Sequence, residues 1–512
     1  MRIKRRKFLG QLAAGSAVVS MPAFLSGCGV NRAVAVAEPT PANPFLEWFA
    51  VDQAVIARVM AELTKNGADA ADLYFQHRRT NELRMEHSIV SGGDSDILQG
   101  VGLRVVIGEQ AGYAFTAELT AESMLAAAQT AAAVASGNVA VPPQAFSLSD
   151  PGDLYRVELP WADVAAASKL RILQRVDVEA RRADPTVHNV SVAWADVDER
   201  IMIATLDGRL ILDHRPLTRL SAQVTATRGD NVQSGFASIS ARQELSWYTD
   251  ERVDGMVREA VDRTLVQFDA RRAPTGDMPV VLSAGASGIL LHEAIGHGME
   301  ADFNRSGSSA YSGMLGQKVA EPFVTIVDQG TLPNARGALN YDDEGQACGR
   351  NVLVEGGRLR SYLHDGISAR QFAVPATGSG RRESYRFQPL PRMTCTFMED
   401  GPHTREEIIA AVDFGVVADT YTRGDVQIGA GDYTFSVGNG WLVEQGRITA
   451  ALKDFNISGN GPDTLRNVSM VANDARFDSG GWTCGKKGQR VPVSQGMPTV
   501  LVAKLGVRGE DA

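Results

Sequence analysis

Apolar residues in the first half of the chain recur with two periods, one typical of helices and one typical of strands. Between residues 51 and 65 they recur every three or four positions, which predicts an amphipathic helix. Further helices are predicted at residues 121–135, 162–182 and 250–268. Short segments predict strands at residues 71–76, 102–107, 190–193, 200–205, 209–212 and 219–225. Turn signals such as Asp207-Gly208 separate the later segments, which indicates an antiparallel meander.

The second half of the chain is richer in glycine and contains many short predicted strands. These lie at residues 279–282, 323–327, 351–355, 358–364 and 441–445. A basic, proline-containing stretch at residues 270–276 is the best candidate for a boundary between the halves. We therefore expect an α+β protein, with an N-terminal α/β domain at residues 45–272 and a larger β-rich domain at residues 273–512.

The first residues of the chain have the pattern of an export signal. Arg5-Arg6 precedes Phe8-Leu9, a weakly apolar stretch follows, and the segment ends Leu25-Ser26-Gly27-Cys28. This order resembles a twin-arginine-type lipoprotein signal at residues 1–27, in which Cys28 is lipidated. Residues 28–44 contain three prolines and are expected to form a tether. The sequence thus predicts an exported protein, on the periplasmic side or in the cell envelope, held at the membrane through Cys28 alone. The alternative is a basic, loosely anchored amphipathic start.

Composition excludes several classes of protein. With 44% hydrophobic and 22% charged residues, the chain is typical of globular proteins. A net charge of −9 argues against a nucleic-acid partner. Four cysteines in 512 residues cannot form a disulfide scaffold. They remain available for other chemistry.

Two of the eight histidines flank a glutamate in the order His292-Glu293-Ala-Ile-Gly-His297. Zinc peptidases usually space such histidines four residues apart. A spacing of five places the second side chain about 140° around an α-helix from the first, against about 40° for four. Gly296 and Gly298 suggest that the helix bulges or ends here, which would return His297 toward His292. Imidazoles suit zinc, and Glu293 suits a general base. Two hydrogen-bonded polar histidines near a helix end are the alternative.

Residues 292–305 also strongly resemble the metal-site segment of the TldD/PmbA family of metallopeptidases. Matching blocks follow in the family's order at residues 337–345, 377–385, 391–394, 431–437, 457–462 and 483–489. Residues 100–104 and 112–116 look like the family's N-terminal domain. The resemblance runs from about residue 50 to the end of the chain.

The resemblance implies that Cys484 is the third metal ligand, so that Zn²⁺ would be held by His292, His297 and Cys484. It also implies an active, TldD-type peptidase in which Glu293 activates water. Small or unfolded peptides would enter the cleft of a dimer by strand addition. The dimer would be a homodimer or a heterodimer with a PmbA/TldE-like subunit. For Cys484 alone, the alternative is a buried small hydrophobe. For the whole chain, it is a peptide- or metal-binding surface lipoprotein, or an assembly partner, with a vestigial site.

Other polar residues near these blocks allow two interpretations each. Glu300 and Asp302 either hydrogen-bond a ligating imidazole or lie in a solvated turn. Arg381 and Arg382 bind either a peptide carboxylate or a buried carboxylate partner. Residues 342–344, two aspartates and a glutamate, either bind a cation or support the cleft through hydrogen bonds. Cys395 stands where many relatives have asparagine and is either inert packing or a peptide contact, and Cys348 has no assigned chemistry.

Overall fold

The computed structural model describes residues 43–133 and 139–509 of the chain. The described residues belong to one compact unit. The predicted export signal, the lipidation site Cys28 and nearly all of the tether lie outside the described residues. None of the helices within the described ranges is long and apolar enough to cross a membrane.

A seven-stranded sheet dominates the first half of the chain, in the order β3-β2-β1-β5-β6-β4 with β7 paired to β6. Neighbouring strands are antiparallel, except that β4 runs parallel to β6. The strands are β1 Ala70–Glu86, β2 Ile89–Ile107, β3 Gln110–Thr116, β4 Ser147–Leu148, β5 Val187–Thr205, β6 Arg209–Arg228 and β7 Asn231–Ala241. The expected antiparallel meander is confirmed, with strands far longer than predicted.

The four predicted helices are present, with ends shifted by a few residues. The helices of the first half are α1 Pro44–Phe49, α2 Gln53–Leu63, α3 Ala121–Ala132, α4 Ala166–Ala183 and α5 Asp250–Leu265. Helices α2 and α3 bury their apolar faces on β1 and β2, whereas α4 and α5 cover β5, β6 and β7. The opposite face of the sheet presents Tyr74, which packs in one cluster with Tyr385 from the second half of the chain. This face of the sheet therefore packs against the part of the second half that resembles the family.

The second half of the chain forms two larger sheets and two hairpins. One sheet has the order β19-β24-β9-β16-β17-β18-β8 and the other β12-β11-β10-β15-β23-β20; the hairpins are β13–β14 and β21–β22. The strands are β8 Arg271–Arg272, β9 Gly276–Leu282, β10 Ile326–Gln329, β11 Arg350–Glu355, β12 Arg358–Leu359, β13 Gly380–Arg381, β14 Leu390–Pro391, β15 Cys395–Met398, β16 Phe414–Val426, β17 Asp432–Glu444, β18 Arg447–Asn460, β19 Val468–Val471, β20 Arg476–Phe477, β21 Thr483–Lys486, β22 Gln489–Pro492, β23 Ser494–Met497 and β24 Val500–Gly509.

Short helices connect these strands. They are α6 Gly288–Leu290, α7 Ala301–Arg305, α8 Gly366–Phe372, α9 Arg405–Ala410 and α10 Gly461–Arg466, with a π-helical turn at Leu291–Gly296 and a 3₁₀ turn at His297–Met299. The first half of the chain has further 3₁₀ turns at Trp161–Asp163, Leu245–Trp247 and Val266–Phe268. The π-helical turn lies inside the largest apolar cluster, which includes Leu291, Ala294 and Ile295. The architecture is the expected mixture of helices and sheets, and the predicted division at residues 272 and 273 stays a prediction.

Two strand predictions in the second half need correction. The strand predicted at 358–364 ends at Leu359, because the next residues turn toward the segment that follows the π-helical turn. There the Leu363 backbone donates to Met299 and accepts from Ala301. The strand predicted at 323–327 begins only at Ile326.

Candidate metal centre

The helix that carries both histidines widens into a π-helical turn between them. The turn spans Leu291–Gly296, and the backbone N–H of His297 donates to the carbonyl oxygen of His292. In a π-helix residue i pairs with residue i+5, so side chains five residues apart lie on the same side. The two imidazole rings accordingly have centroids 5.1 Å apart. The predicted bulge is present and brings the histidines together.

Two glycines, Gly461 in a distant block and Gly296 in the turn itself, allow other chain segments to approach the turn closely. A Cβ atom at Gly461 would lie 1.8 Å from the carbonyl oxygen of Ala294, and one at Gly296 would lie 2.3 Å from Sδ of Met393. The backbone of Ala294 excludes any side chain at Gly461, and a side chain at Gly296 would force Met393 or the turn to move. Residues 457–462 and 391–394 therefore pack directly against the histidine-bearing turn and hold it in place.

His292, His297 and Cys484 converge in the interior. One potential ligand atom from each lies within 4.8 Å of the others, and all three residues are buried. The Cys484 Sγ lies 3.2 Å from Nε2 of His297. Both ring nitrogens of His292 are buried with no hydrogen-bond partner in the described part of the chain. A buried imidazole of this kind is costly unless a further group completes the site.

The charges of this cluster suit a cation. Burial raises the pKa of the Cys484 thiol, but the imidazoles of His297 and His292 outweigh it and hold that pKa well below its ordinary value. Burial lowers the pKa of His297, but Glu300 and Cys484 raise it well above its ordinary value. These shifts favour a thiolate at Cys484 and a protonated ring at His297, and a divalent cation can take the place of the proton.

Glu300 contacts His297 from the side away from Cys484, and Lys486 contacts Glu300 in turn. His297 Nδ1 donates to Oε2 of Glu300 over 2.8 Å. Lys486 Nζ lies 2.8 Å from the same oxygen and 2.7 Å from Oδ1 of Asp302. Glu300 therefore contacts the imidazole, as one interpretation predicted, whereas Asp302 is linked to it only through Lys486. Burial raises the pKa of Glu300, but His297 and Lys486 lower it to about 2, so this carboxylate is ionised.

Two contributors to the site were missed from the sequence. Lys486 links the carboxylates, and Arg392 Nη2 donates to the backbone carbonyl of Cys484 over 2.7 Å. Both residues lie in blocks that resemble the family, Lys486 two positions after Cys484. Their membership in those blocks was the available signal.

Glu293 differs from its neighbours in being accessible. About 26% of its side chain is exposed, and its Oε2 lies 3.6 Å from Nε2 of His297. The carboxylate thus lies between the buried cluster and solvent.

Arg381 and Arg382 do not reach the metal cluster with their hydrogen bonds. Arg381 donates to the carbonyls of Met393 and Pro492, over 2.6 and 2.7 Å. Arg382 Nη2 pairs with Oδ1 of Asp72 over 2.8 Å, so the carboxylate-partner interpretation holds for Arg382. For Arg381 the interpretation as the partner of a buried carboxylate is wrong, because its described partners are backbone carbonyls, and the peptide-carboxylate interpretation stays a prediction.

The acidic residues 342–344 are also engaged in hydrogen bonds. Asp343 pairs with Arg215 over 2.6 Å and accepts the N–H of Arg382. Asp342 accepts three backbone N–H groups, and Glu344 pairs with Arg104. These contacts join the first sheet to the second half of the chain, in agreement with the supporting role rather than cation binding.

The remaining described cysteines are placed as packing residues. Cys395 is buried beside Tyr155 and Ala338, and burial raises its thiol pKa to about 12. Cys348 donates to the carbonyl of Gly378 over 3.2 Å. Neither contacts the metal cluster.

Comparison with known proteins gives matches along most of the described chain. Family models of the PmbA/TldA metallopeptidases match three segments: domain 1 at residues 71–135, the central domain at 159–268 and the C-terminal domain at 275–509. A protein of Haemophilus influenzae described as a metalloprotease TldD homolog is 39% identical over 456 residues, covering 87% of this chain and 94% of that protein. The chain belongs to the PmbA/TldD metallopeptidase family.

Other members of the PmbA/TldD family extend the comparison. A zinc metalloprotease TldD homolog from Saccharolobus solfataricus is 28% identical over 342 residues, or 67% of this chain and 76% of that protein. Two solved structures share the fold. TldE from Thermococcus kodakarensis has a TM-score of 0.68 at 19% identity, covering 89% of this chain and 99% of its own. A Thermotoga maritima protein has a TM-score of 0.71 at 23% identity, covering 89% and 99%.

Proposed function

We propose that the chain is a zinc-dependent peptidase that hydrolyses small or unfolded peptides. The observation that carries the proposal is the convergence of His292, His297 and Cys484, with ligand atoms within 4.8 Å, beside the accessible carboxylate of Glu293. The name of the Saccharolobus solfataricus relative adds support for zinc.

The donor set fits Zn²⁺. Two imidazoles and a thiolate are ordinary zinc ligands, and three protein ligands leave a fourth position open, as catalytic sites do. The unpartnered ring nitrogens of buried His292 are explained if one of them binds a cation. Zinc bound there would polarise the scissile carbonyl and strengthen water as a nucleophile at neutral pH.

The chain's own residues supply proton transfer and orientation. Glu293 Oε2 accepts a proton from the attacking water and later returns it to the nitrogen of the leaving amine. Glu300 fixes the ring of His297 by accepting from Nδ1, which leaves Nε2 directed at Cys484 Sγ. Lys486 holds Glu300 in the ionised form that this hydrogen bond needs.

A cavity of about 520 Å³ is suited to hold a peptide segment. It is lined in part by Ala286, Tyr421 and Trp482. Trp482 lies two residues before Cys484, and the Tyr421 hydroxyl lies 2.9 Å from Oγ of Ser287, at the start of the histidine-bearing helix. The combination of aromatic and polar walls is typical of ligand cavities.

Metal content and peptide cleavage test the proposal together. The purified full chain should contain one zinc ion and cleave an unstructured peptide, lose cleavage when a chelator removes zinc, and regain it when zinc is restored. A chain that holds zinc at full occupancy but cleaves no peptide, alone or with a partner subunit, would instead favour the non-catalytic metal-binding protein.

The assembly is proposed to be a dimer, formed with a second copy or with a TldE-like subunit. The likeness to the TldE fold supports this pairing. Mass measurement in solution, with and without a co-expressed subunit lacking the histidine motif, distinguishes the two forms. A monomer that is fully active would contradict both.

Export and lipid anchoring are a separate proposal that rests on Arg5-Arg6 and Cys28 in the sequence. Replacing Arg5-Arg6 with two lysines should leave the precursor in the cytoplasm. Replacing Cys28 with serine should release the exported protein from the membrane fraction. Unchanged export of the first variant would point to the general secretory route.

A further inference from the structure

Arg242 and Arg381 are buried arginines whose charge no carboxylate neutralises directly. Their exposed fractions are 3% and 2%, and neither forms an ion pair with a described residue. Arg242 Nη1 donates to the carbonyl of Pro216, and its guanidinium lies 5.0 Å from the ring centre of Tyr155. In both arginines the Nε atom is buried without a hydrogen-bond partner.

The two arginines line the same cavity, which has a volume of about 200 Å³. Because a single water needs only about 10–15 Å³ by this measure, an anion of several heavy atoms fits. The charged residues that line it are six arginines and three acids: Arg78, Arg215, Arg242, Arg381, Arg382, Arg490, Glu199, Asp343 and Glu383. The walls carry an excess of positive charge, which Asp72 on Arg382 and Asp213 on Arg215 offset in part.

Of the three acids, Asp343 alone forms an ion pair with a described residue, and the other two accept from neutral N–H donors. Asp343 pairs with Arg215, Glu383 accepts the backbone N–H of Arg490, and Glu199 accepts from the side-chain amide of Gln76. None of them forms an ion pair with Arg242 or Arg381, whose described hydrogen-bond partners are backbone carbonyls.

Two unneutralised guanidiniums around one cavity are unfavourable unless something compensates them. Burying a charge without a partner is costly, and like charges add to that cost. Burial lowers the pKa of Arg381 to about 10; the charge of Asp343 opposes this shift, and repulsion from Arg392 and Arg242 adds to it. A guanidinium presents planar N–H donors that match the oxygens of carboxylate and phosphate groups. An oxyanion would supply both the missing charge and the missing acceptors.

We propose that this cavity binds a small oxyanion, a carboxylate or phosphate group, held by Arg242 and Arg381. Its position is next to the candidate metal centre. Val491 lines the cavity and lies opposite Cys484 in the β21–β22 hairpin, and Arg381 donates to the carbonyl of the following residue, Pro492. The anion is either a free ion or the terminal carboxylate of a peptide. The site itself does not depend on peptidase activity.

Calorimetric titration of the zinc-loaded full chain with inorganic phosphate tests the proposal. Phosphate should bind saturably with one site per chain. Arg242→Gln should weaken binding at least about tenfold, because it removes a charge-assisted contact. Arg219→Gln is the matched control, since Arg219 lines the 520 Å³ cavity and not this one, and it should bind phosphate as the wild type does. Absence of saturable binding, or equal weakening in both variants, overturns the proposal.

Two further measurements keep the test independent of the metal and of the variant's folding. Cys484→Ser should still bind phosphate; loss of binding there, with binding retained in Arg242→Gln, would place the anion on the metal and overturn the proposal. Wild-type crystals soaked in selenate should show an anomalous peak between Arg242 and Arg381. A fully soaked crystal with no peak in this cavity overturns the proposal even if Arg242→Gln does not fold.

Competition experiments distinguish the two sources of the anion. If phosphate inhibits cleavage of a free-acid peptide competitively but not that of its C-terminally amidated form, the cavity takes the substrate's terminal carboxylate. If phosphate binds the cavity without competing with either peptide, the ligand is a free ion.

Discussion

The backbone N–H of His297 donates to the carbonyl of His292, and this one bond of the π-helical turn aligns the two imidazoles. It explains how histidines five residues apart share one site, which an undistorted α-helix would not allow. Gly296, the last residue of the turn, lies against Met393. The geometry of the candidate metal centre thus depends on close packing around this turn.

Gly296→Ala should disturb that packing. The added methyl group would lie 2.3 Å from Met393 Sδ, which forces the turn or the methionine to move. We expect a loss of about 1–3 kcal/mol in the free energy of unfolding, with weaker zinc binding. Chemical denaturation and zinc titration measure the two effects. Gly349→Ala is the control, since its methyl group would meet no atom within 4 Å. Equal behaviour of both variants would contradict the packing argument.

Glu293→Gln should separate metal binding from catalysis. The amide cannot accept the proton of the attacking water, so kcat should fall by about 10²–10⁴-fold. Zinc content should stay unchanged, because Glu293 is not one of the three converging ligands. Steady-state cleavage of an unstructured peptide and metal analysis are the measurements, with exposed Glu321→Gln as the control. A variant that binds zinc and cleaves as fast as the wild type would show that the base is another group.

Cys484→Ser should weaken zinc binding severely. Serine does not supply a thiolate, and the site would be left with two imidazoles. Competition with a chelator of known affinity measures the loss. Cys395→Ser provides the comparison, because that buried thiol lies in a separate cluster, and it should retain the wild-type zinc affinity. Full zinc affinity in the Cys484 variant would remove Cys484 from the ligand set.

Glu300→Gln should lower zinc affinity without removing a ligand. The variant loses the charged acceptor that orients His297 and leaves Lys486 with one carboxylate, Asp302. Loss of such an outer contact typically costs about 10–100-fold in metal affinity or activity. A Lys486→Met variant should shift zinc affinity in the same direction. If neither change affects zinc binding, Glu300 and Lys486 support the fold alone.

Asp343→Asn should make the free energy of unfolding less dependent on pH in the acidic range. Burial raises the pKa of Asp343, but Arg215 and Arg382 outweigh it and hold the pKa below its ordinary value. The ion pairs therefore stabilise the fold above the unfolded-state pKa of about 3.9, and this stabilisation is lost as the pH falls below that value. At pH 7 we expect the variant to lose about 3–5 kcal/mol, and less near pH 3.

Denaturation at several pH values measures this difference. The control is Asp425→Asn, whose exposed pairing with Arg423 should contribute less than about 1 kcal/mol. A difference between Asp343→Asn and the wild type that does not shrink in acid would contradict the assigned cause.

The sequence predicted the helices better than the long strands. Periodic apolar positions identified α2, α3, α4 and α5, because each buries one continuous face. Strand β5 was predicted as two pieces, since Asp196 and Asp198 occupy buried positions where apolar residues were expected. Asp196 is paired with Lys169, a contact from another element that local patterns cannot show.

The residues of the candidate site also differ in how well the sequence could identify them. His292, Glu293 and His297 are near neighbours in the chain, so their order alone raised metal binding as one of two interpretations. Cys484 came from the family resemblance, because nothing local connects it to residues 292–297. The partners of Lys486, Arg392 and Arg381 depend on how distant segments fold together, and sequence patterns carry no information on such contacts.

Anomalous scattering at the zinc absorption edge, on crystals of the active full chain, tests the central claim most directly. The account predicts one strong peak bounded by His292 Nε2 or Nδ1, His297 Nε2 and Cys484 Sγ, with Glu293 beside it but not bound. A zinc peak elsewhere in a fully active protein, or full activity with no metal at these three residues, would contradict it.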